Sequence, residues 1–280
     1  MTTASMEIAI LQVIDYMHER LDQDLTTDDL ARTAQFSKFH FSRMFREVTG
    51  VSPGRFLSAL RIQEAKRLLV GTEHSVADIS AQVGYGSVGT FSSRFKECVG
   101  ISPSRFRELD GNFRGLTPQP TSLASASGSA QGLSVHGRIV LPGDRPLGQV
   151  FVGLFETPIP QGSPAQCTIM DGPGPFELRD VQPGTWYLMA ASVPYGSPSV
   201  VAGRGRGGPE NLSVGRCGPV TVRPGVLLMP ADVVLRPARP LDPPVLIAVP
   251  GSVAEATSGG VRRRHEATAI GAHLRAPARL

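Results

Sequence analysis

The sequence predicts a multidomain α + β chain, an all-α domain built from two copies of one small helical unit followed by an all-β sandwich. Three observations predict it. Apolar residues recur at helical spacing through residues 6 to 110, a pattern of about fifty residues repeats within that stretch, and beyond residue 133 the apolar period becomes two. A chain of 280 residues has room for two ordinary domains. With 41% hydrophobic and 19% charged residues it carries enough apolar material for globular cores, which argues against wholesale disorder. The expected divisions are 1–112 for the helical domain, 113–132 for a Pro-, Ser-, Ala- and Gly-rich linker, 133–238 for the sandwich, and 239–280 for a tail whose composition predicts disorder.

In the first domain, Ile10, Val13, Ile14, Met17 and Leu21 line one face of a helix that ends at the Asp22 to Asp24 turn. Thr26 or Thr27 then caps a short helix carrying Leu30, Ala31 and Ala34. Ser37 caps the next helix, with Phe41, Met44, Phe45 and Val48 inward and Gly50 as its stop. A long helix follows Pro53 to about Val70, and the pattern then begins again. Ser75 caps a short helix with Ile79 and Val83, a Gly84-Tyr85-Gly86 turn follows, and Ser87 opens a helix with Phe91, Phe95 and Val99 inward. Phe41 to Phe56 aligns without a gap on Phe91 to Phe106, while upstream Leu30 lies over Ile79 and Phe36 over Tyr85, so the second unit has one more residue in its turn. Strands are expected at 134–140, 149–155, 167–170, 175–181, 185–193, 219–222 and 232–235, with Gly and Pro turns between them.

Charge and composition narrow the function. From Glu7 to Asp29 seven acids face Arg20 alone, a net of −6, whereas from Leu30 to Arg67 eight bases face Glu47 and Glu64, a net of +6. The basic block suits phosphates, with the acidic block turned away. No apolar run approaches the roughly 20 residues of a membrane helix, and the first residues lack a leader pattern, so an intracellular protein with no membrane contact is expected. Cys98, Cys167 and Cys217 are widely separated, and His18, His40, His74, His136, His265 and His273 show no metal spacing, so no disulfide, metal, cofactor or catalytic residue is expected.

Two tandem units of short helix, turn and amphipathic helix are the pattern of a helix-turn-helix pair, in which the second helix of each unit lies in the DNA major groove. With the apolar face of residues 37–49 inward, Lys38, Phe39, Ser42, Arg43 and Arg46 are left outside. Phe39 suits a thymine methyl or sugar edge, Arg43 a guanine edge, and Lys38 and Arg46 phosphates. The connecting helix, about 25 Å long at 1.5 Å per residue, suffices to hold two reading helices near the ~34 Å spacing of successive major-groove segments.

Residues 6–109 resemble the DNA-binding domain of AraC/XylS-type regulators. The resemblance rests on LTTDDLARTAQFSKFHFSRMFREVTGVSPGRF and on SVADISAQVGYGSVGTFSSRFKECVGISPSRF, with the Gly-Tyr turn, Phe-Lys pair and Gly-Ile-Ser-Pro close of the second unit most distinctive. It implies a bacterial, cytoplasmic regulator, nucleoid-associated when bound, that recognises double-stranded promoter DNA, works with RNA polymerase and activates or represses transcription. It also implies base contacts by Phe39, Ser42 and Arg43, and by Val88, Gly89, Thr90 and Ser93 on a second reading face running from Ser87 to Arg94. The family commonly has Arg where Ser93 stands and polar residues at Val88 and Gly89; Arg94 is the nearest base. The second unit is therefore expected to supply phosphate contacts and shape readout, while the first sets sequence preference.

The segment from 133 to about 236 resembles the transthyretin-like sandwiches called carboxypeptidase regulatory-like domains. That resemblance leaves two tasks open, a small-molecule effector site or a protein contact such as a homodimer. Trp186, Tyr187 and Tyr195 are candidate pocket walls, with Trp186 alternatively in the sandwich core. The rival class is a DNA-repair alkyl-transfer protein with a related helical domain. None of the three cysteines has the Pro-Cys-His-like setting that an activated thiolate needs. The run Arg262 to Arg264 reads as a solubilising tail feature.

Overall fold

The structure, a computed structural model, describes residues 3–109, 133–143, 148–194, 212–226 and 228–246. The linker, Tyr195, Arg262 to Arg264, His265 and His273 lie outside the described residues. The first domain comprises α1 (Thr3–Glu19), α2 (Thr27–Thr33), α3 (Lys38–Thr49), α4 (Pro53–Gly71), α5 (Val76–Gln82), α6 (Val88–Val99) and α7 (Pro103–Glu108).

Duplication in sequence becomes duplication in space. Both short helices open on a reciprocal capping box. The Thr26 hydroxyl accepts from the Asp29 amide at 3.2 Å while the Asp29 carboxylate accepts from the Thr26 amide at 3.0 Å. Ser75 and Asp78 repeat this at 3.1 and 3.2 Å. The hydroxyl and amide donors hold both carboxyls below the usual carboxylate range. The longer helices differ. Ser87 accepts from the Thr90 amide at 3.2 Å, whereas the expected cap at Ser37 has the right backbone but no side-chain bond.

Each unit closes around three phenylalanines. Phe41, Phe45 and Phe56 are fully buried in the first, and Phe91, Phe95 and Phe106 in the second. Helix α4 is the shared spine, giving Phe56, Leu57 and Leu60 to the first core and Ala59, Ile62, Ala65 and Leu69 to the second. Its burial on both sides leaves it little amphipathic contrast and ties the two units together. The second turn also has a tertiary setting, although its extra residue, Gly86, faces open space. Gly84 sits at φ +79°, and a Cβ there would lie 2.2 Å from the Leu21 carbonyl oxygen, so the turn packs directly on the chain just beyond the end of α1. Its counterpart Gln35 takes a similar backbone, φ 59°, without glycine.

Beyond the linker the chain is β-rich: β1 (Leu133–Val140), β2 (Gly148–Phe155), β3 (Gln166–Met170), β4 (Gly174–Val181), β5 (Gly184–Pro194), β6 (Ser213–Val222), β7 (Val233–Val234) and β8 (Arg236–Pro237). One sheet has the order β4-β1-β7 and the other β3-β2-β5-β6-β8. The sheets face each other across a core of Val135, Ile139, Leu178, Val150, Leu154, Leu188 and Val222. Two expectations need correction. Strand β6 starts at Ser213, six residues before the expected 219, because Gly215, Arg216 and Gly218 interrupt the apolar alternation while pairing with β5 carries the strand through them. The expected strand at 232–235 is reduced to the two residues of β7, which joins β1 in parallel, and β8 follows beyond it on β6.

The packed chain also continues past 238 to Leu246. Leu241 and Ile159 enter the first helical core and Leu246 enters the second. The Leu246 amide bonds the Pro160 carbonyl at 3.0 Å, and the Gly162 amide bonds the Cys98 carbonyl at 2.7 Å. Lys66, 4% exposed, points its ammonium at the carbonyls of Val245 (3.4 Å) and Leu246 (3.2 Å). Asp242 anchors the segment through a two-pronged pair with Arg236 at 2.6 Å each. Composition pointed to a tail here because leucines spaced this widely have no period of their own.

Candidate nucleic-acid interface

Helix α3 buries Phe41, Met44 and Phe45 and presents Phe39, Arg43 and Arg46 on the opposite side, as a 3.6-residue period requires. Phe39 is 87% exposed, a large apolar ring held in water with no cover from the fold. Ser42 sits at the margin, half-buried. Lys38 is exposed and its ammonium meets the Asp28 carboxylate at 2.7 Å. The acidic block therefore does not wholly turn away: the start of α2 places Asp28 beside the reading helix. An exposed pair of this kind contributes at most about 1 kcal/mol, so a phosphate can take Asp28's place at small cost. Next to these residues His40 stacks edge-on against Phe36, centroids 5.1 Å apart.

Helix α6 buries Phe91, Phe95, Cys98 and Val99 and exposes Val88, Gly89, Thr90 and Ser93, with Ser87 exposed at its cap. The Ser87 hydroxyl donates to that of Thr90 at 2.9 Å, so both are partly engaged within the cap. Arg94 is drawn aside. It is half-buried, pairs with Glu97 at 2.9 Å and approaches the Ser58 hydroxyl at 3.4 Å. The gapless alignment explains this, because Arg94 occupies the place of buried Met44. By the same alignment Lys96 occupies the place of Arg46 and is exposed. Lys96 is the cation that sequence reasoning overlooked on this face; Arg55, exposed in the first turn of α4, lines one cleft with Arg46 near the end of α3. Reading the outward positions through the duplication, rather than by nearest charge, would have found Lys96.

Comparison with known proteins agrees with this geometry. Residues 30–109 match the family model described as a helix-turn-helix domain. Among similar proteins, the lactose operon transcription activator of Staphylococcus xylosus is 31% identical over 86 residues, covering 31% of each chain. A helix-turn-helix transcriptional regulator of Staphylococcus aureus is 35% identical over 85 residues, 30% of this chain and 11% of that protein. The chain thus spans only a third or less of these relatives. Among solved structures, the DNA-binding domain of AdpA in complex with a target DNA aligns with 29% identity and TM-score 0.35, covering 39% of this chain and 96% of that one.

Burial pushes the Cys98 thiol up to about 11, and its Sγ lies 3.5 Å from Gln161 Oε1. Burial likewise raises Cys167. Both are held as neutral thiols at neutral pH, the opposite of what a nucleophile needs. Among the described residues no group of three His, Cys, Asp or Glu is placed to hold a metal, and no helix is long and apolar enough to cross a membrane. In the β-rich domain Trp186 packs against the core between the sheets, with its indole N–H bonded to the Gln182 carbonyl at 3.0 Å. Tyr187 lies on the other face, beside Phe155 and Met189. An apolar cavity next to Phe151, Met189 and Val245 measures about 60 Å³, well short of the roughly 300 Å³ of a typical ligand site.

Proposed function

We propose that the chain is an AraC/XylS-type, sequence-specific transcription regulator that reads two adjacent major-groove segments of promoter DNA with α3 and α6. One observation carries the reading: two equivalent helices present unburied outer strips, Phe39, Arg43 and Arg46 on one and Gly89, Ser93 and Lys96 on the other, and both are mounted on the single 19-residue spine α4. Base readout falls mainly to α3, through Arg43 and Phe39 with Ser42 at the margin. Helix α6 contributes Lys96 to phosphate and the small residues Gly89, Thr90 and Ser93 to close backbone approach. Lys38 and Arg46 flank the groove. The working site of such a protein is the bacterial cytoplasm, on the nucleoid when bound, with RNA polymerase as its downstream partner.

The β-rich domain is read as a carboxypeptidase regulatory-like sandwich that serves as a contact module. The cavity of about 60 Å³ beside Phe151 and Met189 is too small to hold an effector. Among the described residues, Val140 and Val234, register partners on β1 and β7, are both exposed and suit a homodimer contact, as does Met229, which is exposed nearby in sequence. The sedimentation mass of the purified chain tests that contact.

Selection of bound sequences from random duplex DNA at stated salt tests the regulator reading. The expected result is a site with two half-sites about 10 base pairs apart, the one under α3 carrying most of the sequence information. Equal binding to every duplex would overturn it.

A further inference from the structure

A cleft of about 760 Å³ lies between the two domains, where α3 ends and α4 begins. The helical wall carries Arg46 and Arg55, and the β-rich wall carries Arg216, Tyr187 and Glu156. Three guanidinium groups thus converge on one open, polar space that holds a single carboxylate side chain. Among the described residues none of the three arginines is in an ion pair. Like charges gathered without counter-ions repel, and an anion entering the cleft relieves that repulsion while gaining charge-assisted hydrogen bonds.

The position of Arg216 is built by the fold. Strand β6 pairs Arg216 with Met189 of β5, and the side chain reaches across to Gly50, the left-handed residue that ends α3. A Cβ at Gly50 would stand 2.7 Å from Arg216 Nη1, so the glycine leaves room for the guanidinium to lie on the helix end. The wall that carries Arg216 is tied to the first unit by Ile159 and Leu241, both buried in that unit's core.

We infer that Arg216 of the β-rich domain contacts the DNA phosphate backbone beside the segment read by α3, making that domain the far wall of a phosphate-binding cleft. This rests on the DNA-binding reading above. Arg46 decides between a DNA phosphate and a free one. It belongs to the same outward strip as Phe39 and Arg43, so a duplex seated on that strip runs its backbone past Arg46 and into the mouth of the cleft. The three arginines are then successive backbone contacts that position the duplex without reading its sequence. The sandwich, otherwise an appendage, becomes part of the grip on DNA.

The test measures affinity of the full chain for its selected duplex across a range of KCl concentrations. For Arg216→Gln, with an unchanged unfolding temperature, the slope of log K against log salt becomes shallower by about 0.9, the value for one lost phosphate contact. Binding weakens alike on selected and random duplexes, and Arg216→Lys restores the slope. Glu156→Gln, which removes the carboxylate of the cleft, tightens binding to both; it also serves as the independent variant should Arg216→Gln fail to fold. An unchanged slope in Arg216→Gln, while wild type keeps its sequence preference, overturns the inference and leaves the regulator reading standing. So does stabilisation of wild type, but not of Arg216→Gln, by inorganic phosphate at constant ionic strength with the DNA slope unaltered. If wild type binds no duplex, both fall.

Discussion

Inside, the first helical unit stacks Phe41, Phe45 and Phe56 with centroid separations of 5.6 and 5.4 Å, and the second stacks Phe91, Phe95 and Phe106 at 5.7 and 5.4 Å. Outside, the same comparison sets Phe39 against Gly89, Arg43 against Ser93 and Arg46 against Lys96. Packing tolerates little change in volume, so the interior of a duplicated unit stays the same. Exposed positions carry no such constraint, and there the two copies differ. The first carries a ring and two guanidiniums, while the second carries one ammonium and small side chains; the proposed division into reader and positioner rests on that difference.

The interiors offer the harshest test of equivalence. Phe45→Ala and Phe95→Ala each remove the middle ring of a buried trio and are expected to cost about 3–5 kcal/mol, by similar amounts, in chemical denaturation. A large inequality would mean that the shared spine does not make one cooperative domain of the two units.

The next effect concerns the spine itself. Burial lowers the Lys66 ammonium to about 8 from its ordinary 10.5. Below pH 8 the group is charged in both folded and unfolded chains and its burial counts fully against folding. Between about 8 and 10.5 the unfolded chain binds more protons than the folded one, so stability rises with pH across that window, by up to about 3 kcal/mol. Lys66→Met is expected to flatten this rise, although it strands the Val245 and Leu246 carbonyls. A wild-type stability that falls over pH 8 to 10 would contradict the burial of Lys66 under the C-terminal segment.

On DNA the units are expected to diverge. Arg43→Ala is expected to lose about 1–3 kcal/mol on the selected site and to relax base choice under α3. Thr90→Ala, whose hydroxyl is already engaged with Ser87, is expected to relax base choice under α6 far less. Equal relaxation in a binding-site selection would remove the proposed division between reader and positioner. The smallest effect separates the two cations of α6. Lys96→Gln should reduce the salt slope by about 0.9, and Arg94→Gln, drawn toward Ser58 and Glu97, should leave it nearly unchanged.

Much of this was legible in the chain. The capping boxes at Thr26 and Ser75, the glycine stops at Gly50 and Gly100 and the inward rings are local chemistry, repeated at a fixed interval, and each copy corroborates the other. The outward identity of Phe39 and Arg43 followed from helical period, and that of Val88 and Ser93 from the family resemblance. Arg94 and Lys96 were misjudged as a pair, because charge was read along the chain instead of around the helix. Strand β6 was cut short because glycines that weaken a strand signal are tolerated where neighbouring strands supply the hydrogen bonds.

Sequence alone determined the two helical units, their register and the alternating strands, since these depend on periods and caps set by residues a few positions apart. Tertiary structure alone decided that Leu241 and Leu246 complete the helical cores, that Lys66 is buried beneath them and that Arg216 stands opposite Arg46 and Arg55. Such contacts join residues more than 150 positions apart, and no local pattern encodes a partner at that distance.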